Sequence, residues 1–374
     1  MLNSKEDANM KTLLQNVKLA WVGARRRADP DDPRVMRRFG EILHEMGRDR
    51  EAWVSLADAA RLEPDHAQGQ FALGSVLAAL GHLPDARLAF VRARRLDPGN
   101  ADYAFAVGNV HFEAQEIDFA VRAYETAIQL RPDHARAMFN LGHAFKEKGL
   151  LRQASVAFRR ALSVEPRFFK ARFMLAYVYA LMDLNNDAIE QYRLTIAQSP
   201  DYLKAWYNLG NCYLKRGQTT EALEAYRAIL EREPTHARAH FAIGQAYARR
   251  GQLADAMVGF QQALALRGDF PECHLAYARA LEGIGRLRQA LHHYRVYLND
   301  PVAEEHRDDI AEHVRGLASA AGEGRTATIE TRAARDRGAS QDGRAVDARA
   351  EIAGRRVNGV DEQALVEQRS AGYD

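Results

Sequence analysis

Residues 203–236 read LKAWYNLGNCYLKRGQTTEALEAYRAILEREPTH. Trp206, Leu209, Gly210 and Tyr213 fall at i, i+3, i+4 and i+7, the spacing that places side chains on one stripe of an α-helix. Gly217 follows, suited to the left-handed conformation that ends a helix. Ala222, Tyr226 and Ile229 then form the stripe of a second helix. Pro234 has no N–H for an interior helical hydrogen bond and disfavours helical geometry at Glu233, so it marks the second helix's exit. The stretch is a helix–turn–helix in which each helix has an apolar face to bury.

Working outward, prolines recur at 64, 98, 132, 166, 200 and 234, each 34 residues from the next. A fixed period of this length is the signature of a repeat architecture. With Pro33 as position 1, eight repeats follow: 33–66, 67–100, 101–134, 135–168, 169–202, 203–236, 237–270 and 271–304. Position 20 is alanine in all eight. Position 8 is small (Gly40, Gly74, Gly108, Gly142, Ala176, Gly210, Gly244, Ala278), and position 24 is large and apolar or aromatic (Leu56, Phe90, Tyr124, Phe158, Tyr192, Tyr226, Phe260, Tyr294). Small residues at 8 and 20 let two antiparallel backbones approach, and the large residue at 24 packs across the seam. One pair cannot bury both its faces, so neighbours must stack to complete the core.

The pattern at positions 4, 7, 8, 11, 20, 24, 27 and 32 resembles the tetratricopeptide repeat, most closely in 203–236 with Trp206, Leu209, Gly210, Tyr213, Ala222, Tyr226 and Pro234. The resemblance covers about 272 of the 374 residues. It implies an all-α, right-handed superhelical solenoid of eight helix–turn–helix repeats with capping helices. The last repeats depart from the pattern: Gly268 replaces the terminal proline of repeat seven, Pro301 comes one residue early, and His274 and Tyr277 replace the usual residues of repeat eight.

Residues 1–32 are expected to form an N-terminal capping helix, with Leu13, Leu14, Val17, Ala20, Trp21 and Ala24 on overlapping helical rows. A closing helix is expected over 305–320, from the spacing Val302, Ile310, Val314, Leu317. From 321 to 374 the composition shifts to Gly, Ala, Arg, Asp and Glu, with Tyr373 as the one aromatic residue. Such a segment has too little apolar surface to offset its ordering entropy and is expected to be disordered.

Composition excludes several classes. With 52 Lys plus Arg against 50 Asp plus Glu the net charge is +2, no global field for nucleic acid or an anionic membrane. The longest apolar run, residues 173–182, is about half of a membrane-spanning helix. Leu13–Ala24 is broken by Gln15, Asn16 and Lys18 and followed by Arg25–Arg27, unlike a cleaved signal peptide. Cys212 and Cys273 form no CxxC pair, which suits a reducing, cytoplasmic setting without disulfides or a cysteine zinc site. The histidines occur without an HExxH pattern, and no phosphate loop or nucleophile elbow is present. No catalytic residue, metal site or cofactor is therefore expected. Arginine outnumbers lysine 44 to 8, which hints at a GC-rich bacterial source.

By the resemblance, the first helix of each repeat lines a concave groove through positions 2, 5, 6, 9, 12 and 13. Position 5 carries an aromatic ladder of Phe71, Phe105, Phe139, Phe173, Tyr207 and Phe241, readable as partner contacts or as inter-repeat packing. Asn109, Asn140 and Lys170 match three parts of the carboxylate clamp by which some family members hold a peptide C-terminus, but Phe105 and Met174 stand where it would have basic residues. Asn109, Asn140, Asn208 and Asn211 can instead form a sparse amide ladder along a peptide backbone. Lys170, Lys204 and Arg238 at position 2 make the later repeats basic, favouring an acidic segment on the partner. The expected function is a non-enzymatic scaffold that binds a protein or peptide through Asn109, Phe139, Asn140, Lys170, Phe173, Lys204, Tyr207, Asn208, Asn211 and Arg238. The alternatives are a self-assembling homo-oligomeric solenoid or an accessory subunit of an enzyme complex. Nucleic acid and membrane insertion are not expected.

Overall fold

A computed structural model describes residues 2–300 and 307–320, with side chains from Leu14 onward. The expected tail at 321–374, and Pro301 and Val302, lie outside the described residues. Every regular element among the described residues is an α-helix. The first, α1 (Leu2–Ala28), precedes eight helix pairs in chain order: α2 (Pro33–Glu45) and α3 (Asp49–Leu62), α4 (Ala67–Ala79) and α5 (Leu83–Leu96), α6 (Ala101–Glu113) and α7 (Ile117–Leu130), α8 (Ala135–Glu147) and α9 (Leu151–Val164). They continue as α10 (Phe169–Leu181) and α11 (Asn185–Gln198), α12 (Leu203–Lys215) and α13 (Thr219–Arg232), α14 (Ala237–Arg249) and α15 (Leu253–Leu266), and α16 (Pro271–Gly283) and α17 (Leu287–Asn299), followed by α18 (Arg307–Ala320). The first helix of each pair spans positions 1–13, and the second begins at position 17.

The described residues divide into two compact bodies on either side of the Leu184–Asn185 junction. Within each, a helix packs on its pair partner and on the next helix along the chain, the nearest-neighbour pattern of an all-α solenoid. The alanines at position 20, from Ala52 to Ala290, are wholly shielded from solvent. Opposite them, a Cβ built on Gly142 would lie 2.7 Å from Cε1 of Phe158, and one on Gly244 would lie 2.6 Å from Cδ1 of Phe260. In these repeats the ring at position 24 rests on bare backbone and leaves room at position 8 for glycine alone.

Position 15 explains the turn. Gly47, Gly81, Gly149, Gly217, Gly251 and Gly285 have φ between +71° and +79°, where a side chain other than glycine's is strained. Repeats three and five place Gln115 (φ 61°) and Asp183 (φ 60°) in the same conformation, at a cost of roughly 1–2 kcal/mol each. Position 34 caps the following helix: His66 Nδ1 accepts from Gly69 N at 3.0 Å, His134 Nδ1 from Ala137 N at 3.3 Å, and His236 Nδ1 from Ala239 N at 3.1 Å. Position 4 secures the inter-repeat loop. Trp206 Nε1 donates to the Pro200 carbonyl at 2.9 Å, Gln70 Nε2 to that of Pro64 at 3.1 Å, and His274 Nε2 meets that of Gly268 at 3.1 Å. His274 therefore departs from the repeat pattern in residue type and keeps its hydrogen bond.

The terminal helices differ from expectation in detail. Helix α18 packs on α17 through Ile310 and Val314, and His313 Nε2 lies 3.0 Å from Glu282, which also accepts from Tyr294 Oη at 2.7 Å. Helix α1 packs on α2, but through Leu19 and Val22 rather than through the Leu14, Val17 and Trp21 row. No described helix is long and apolar enough to cross a membrane.

Two stability predictions follow from this packing. Gly142→Ala should lower stability by roughly 1–3 kcal/mol, the usual range for overpacking a tight seam. Gly316→Ala, where nothing lies within 4 Å of the added carbon, should raise it by up to about 1 kcal/mol through helix propensity; thermal melts of the two variants test the contrast. His143 packs edge-on to Phe139 at 4.6 Å and Phe158 at 5.5 Å, and burial, aided by Lys146, pushes its pKa down to about 3. The unfolded chain therefore takes up this proton first, so the contribution is complete above about pH 6.5 and is lost as pH falls towards 3, at about 1.4 kcal/mol per pH unit. Melting His143→Asn at pH 7 and pH 5.5 should show a smaller drop than in the parent, with a residual slope from His134 and His293, whose pKa values burial also lowers.

Candidate functional site

The expected site residues lie on the first helices of repeats three to seven. Asn109, Asn140, Lys170 and Phe173 belong to the N-terminal body, with Phe139, and Lys204, Tyr207, Asn208, Asn211 and Arg238 to the C-terminal body.

The aromatic ladder is structural. Phe139 is 7% exposed and Phe173 9%, so neither offers a partner much surface, which corrects their reading as partner contacts. The cause is double stacking. In repeats two, three, four, six and seven the rung lies against the ring at position 24, as in Phe105–Tyr124 (5.9 Å), Phe139–Phe158 (5.7 Å), Tyr207–Tyr226 (5.8 Å) and Phe241–Phe260 (5.9 Å). In repeats three, four and seven position 34 closes the other side: His134 on Phe105 (4.9 Å), Phe168 on Phe139 (4.8 Å) and Phe270 on Phe241 (4.8 Å). Tyr207 is half-buried, and burial pushes its hydroxyl pKa up, opposed by the Arg238 charge and a hydrogen bond with Asn211.

The asparagines fall into two roles. Asn109 on α6 accepts at Oδ1 from Tyr124 Oη at 3.0 Å and from Asn140 Nδ2 of α8 at 2.8 Å. The two first helices are thereby bridged by an amide–amide hydrogen bond anchored on a core tyrosine. In the C-terminal body Asn211 accepts from Tyr226 Oη at 2.7 Å and also bonds Tyr207, so it is committed to two phenols. Asn208 is half-buried on the same helix. Tyr124 is the residue that sequence reasoning missed as an orienting group. A signal was present: asparagine stands at position 9 in repeats three and six, and both have tyrosine at position 24.

The basic positions are accessible. Lys204 and Arg238 are exposed and Lys170 half-exposed at position 2 of their helices. Glu272 occupies position 2 in repeat eight, ending the basic run. Arg249, at position 13 of repeat seven, donates to the Leu214 carbonyl at 3.1 Å. Met174 is buried and Phe105 is packed between Tyr124 and His134, so the two positions that a carboxylate clamp needs basic are built into the core. The thiols are also interior: Cys273 is shielded and donates to the Phe260 carbonyl at 3.5 Å, with its pKa pushed up to about 12 by burial. Among the described residues no group of three or more His, Cys, Asp or Glu is placed to hold a metal ion.

Comparison with curated proteins returns no significant match. Among solved structures, that of MamA protein is 25% identical over 45% of this chain and 92% of that chain, with a TM-score of 0.43. That of YrrB, a TPR protein with an unusual peptide-binding site, is 22% identical over 52% of this chain and 98% of that chain, with a TM-score of 0.46. The APC/C hetero-tetramer Cut9–Hcn1 is 20% identical over 70% of this chain and 52% of that chain, with a TM-score of 0.50, a likeness of fold. Family models described as tetratricopeptide repeat match residues 50–101, 135–168 and 203–236, and one described as TPR repeat matches 108–149. With these matches set on the helix pairs of the structure, the chain belongs to the tetratricopeptide-repeat family.

Proposed function

We propose that this protein binds extended peptide segments of a partner on the first-helix face of each body: the N-terminal body grips a backbone through Asn109 and Asn140 and an acidic side chain through Lys170, and the C-terminal body offers Lys204 and Arg238 to acidic side chains. The coarser statement, a protein-interaction scaffold, follows from the family. The observation that carries the finer one is the 2.8 Å Asn140–Asn109 hydrogen bond. Asn109 Oδ1 already accepts two hydrogen bonds, so what Asn109 can offer a ligand is its Nδ2 donors. Asn140 donates a hydrogen bond through Nδ2 and retains Oδ1 as an acceptor. One donor and one acceptor at the bridge complement the C=O and N–H of a peptide bond, whatever its side chain. Amide contacts of this kind set register and orientation, while the lysines and arginine choose among sequences by charge.

This reading replaces the carboxylate clamp. A clamp needs cations where Phe105 and Met174 pack, whereas a backbone grip needs only the bridged amides. Asn211, held by Tyr207 and Tyr226, keeps the corresponding surface of the C-terminal body in shape, and the ligand contacts there fall to Lys204, Asn208 and Arg238.

The test is a panel of fluorescent extended peptides, acidic and basic, titrated with the full chain. Acidic peptides should bind more tightly. Replacing Asn140 and Lys170 together by alanine should weaken that binding at least tenfold, about 1.4 kcal/mol, with unchanged helicity and a stability loss of only about 0.5–1.5 kcal/mol for the missing Asn140–Asn109 hydrogen bond; an unaltered affinity removes the assignment. Tyr124→Phe should cost about 0.5–1.5 kcal/mol of stability for the lost hydroxyl hydrogen bond. It should also weaken peptide binding several-fold by releasing Asn109, which anisotropy on the same peptides will read.

A further inference from the structure

We propose that the outward face of α1 is a second docking site, distinct from the first-helix face, and that its occupant is an amphipathic helix of another protein whose apolar seam is flanked by Asp or Glu.

Helix α1 carries two apolar rows. The inner one is used: Val22 is buried, Leu19 joins the core of Leu43, Leu56 and Val76, and Arg26 lies over the Phe39 ring at 5.0 Å. The outer one is not. Leu14 is 55% exposed, Val17 60% and Trp21 61%, and the row continues through the exposed Ala24 and Ala28. These five residues advance in steps of three, four, three and four, the a/d spacing that lets one helix lie along another with knobs in holes. Over two heptads the row drifts only about 40° around a straight helix, so it remains one seam. A row of exposed branched and aromatic side chains at this spacing differs from scattered surface leucines, which need no explanation.

Charge selects the occupant. With Leu14 as an a position, the flanking e positions are Lys18 and Arg25. Both are exposed, and the Arg25 guanidinium sits 4.9 Å over the Trp21 ring, at the seam's edge. Flanking charges of this kind set partner choice and orientation. A second copy of α1 supplies no counter-charge. Parallel, its g positions opposite Lys18 and Arg25 would be Leu13 and Ala20; antiparallel, Lys18 and Arg25 would face one another. An acid-flanked helix satisfies both the apolar row and its basic border.

The probe is a labelled four-heptad peptide with Leu at a and d and Glu at e and g, which repels itself. Its counterpart carries Lys at e and g. Titrated with the full chain, the Glu peptide should bind at least tenfold more tightly than the Lys peptide. Val17→Glu with Trp21→Glu should remove that binding while circular dichroism and melting stay as in the parent, since both side chains face solvent. Lys18→Glu with Arg25→Glu should reverse the preference towards the Lys peptide. Equal affinity for both peptides, or binding that survives Val17→Glu with Trp21→Glu, overturns the proposal. So does a concentration-dependent dimer abolished by that double change, which would make the occupant a second copy. Asn140→Ala with Lys170→Ala should leave binding of the Glu peptide unchanged; its loss there would place the peptide on the first-helix face and overturn the α1 assignment without touching the backbone-grip reading.

Discussion

A bulky side chain lying on bare backbone is the contact from which the remainder of this molecule follows. At position 24 an aromatic ring or, in repeat one, a leucine meets the glycine of position 8, and in repeats two, three, four, six and seven the ring leaves no room for a methyl group. That proximity brings the two helices of a pair together around the shielded alanine of position 20. The stack forms because the far side of each pair remains apolar and must find a neighbour. Hydrogen bonds then fix the joints: a left-handed residue at position 15, a cap at position 34, and the N–H of position 4 on the loop carbonyl.

The same ring links core to surface. In repeat three the position 24 residue is a tyrosine, and its hydroxyl emerges from the seam to hold Asn109, which in turn receives Asn140. The amide pair is positioned by a side chain whose main role is packing, so the proposed grip is pre-organised rather than assembled by the ligand. In repeat six the equivalent tyrosine and Asn211 close on Tyr207 instead. One motif thus yields an outward-facing bridge in one place and an internal strut in another, according to what the next repeat supplies at position 6: asparagine in repeat four, alanine in repeat seven.

Much of the fold was legible in the primary structure because each helix boundary depends on local chemistry. Pro234, Gly217 and the His66, His134 and His236 caps act within a few residues of themselves, and a 34-residue period repeats the message. Side-chain direction was harder. Position 5 borders the core stripe, and whether Phe139 faces a partner or the interior depends on Phe168, which sits one loop away and is not on the same helical row. The α1 rows posed the same difficulty: Leu14, Val17 and Trp21 look as apolar as Leu19 and Val22, and spacing alone does not say which row meets α2. The bridging of Asn109 by Tyr124 escaped for a different reason, since it joins two helices at an offset of 15 residues that no single-helix pattern samples.

The seam also limits how such a chain can change length. One residue gained or lost inside a helix turns everything beyond it by about 100°, carrying a ring such as Phe158 off Gly142 and exposing its alanine row. A whole thirty-four-residue block can be duplicated or excised without disturbing the register of positions 8 and 24 in the blocks that remain. Growth and shrinkage of the molecule are therefore quantised, and the number of sites it displays can vary in steps while each step's geometry is inherited intact.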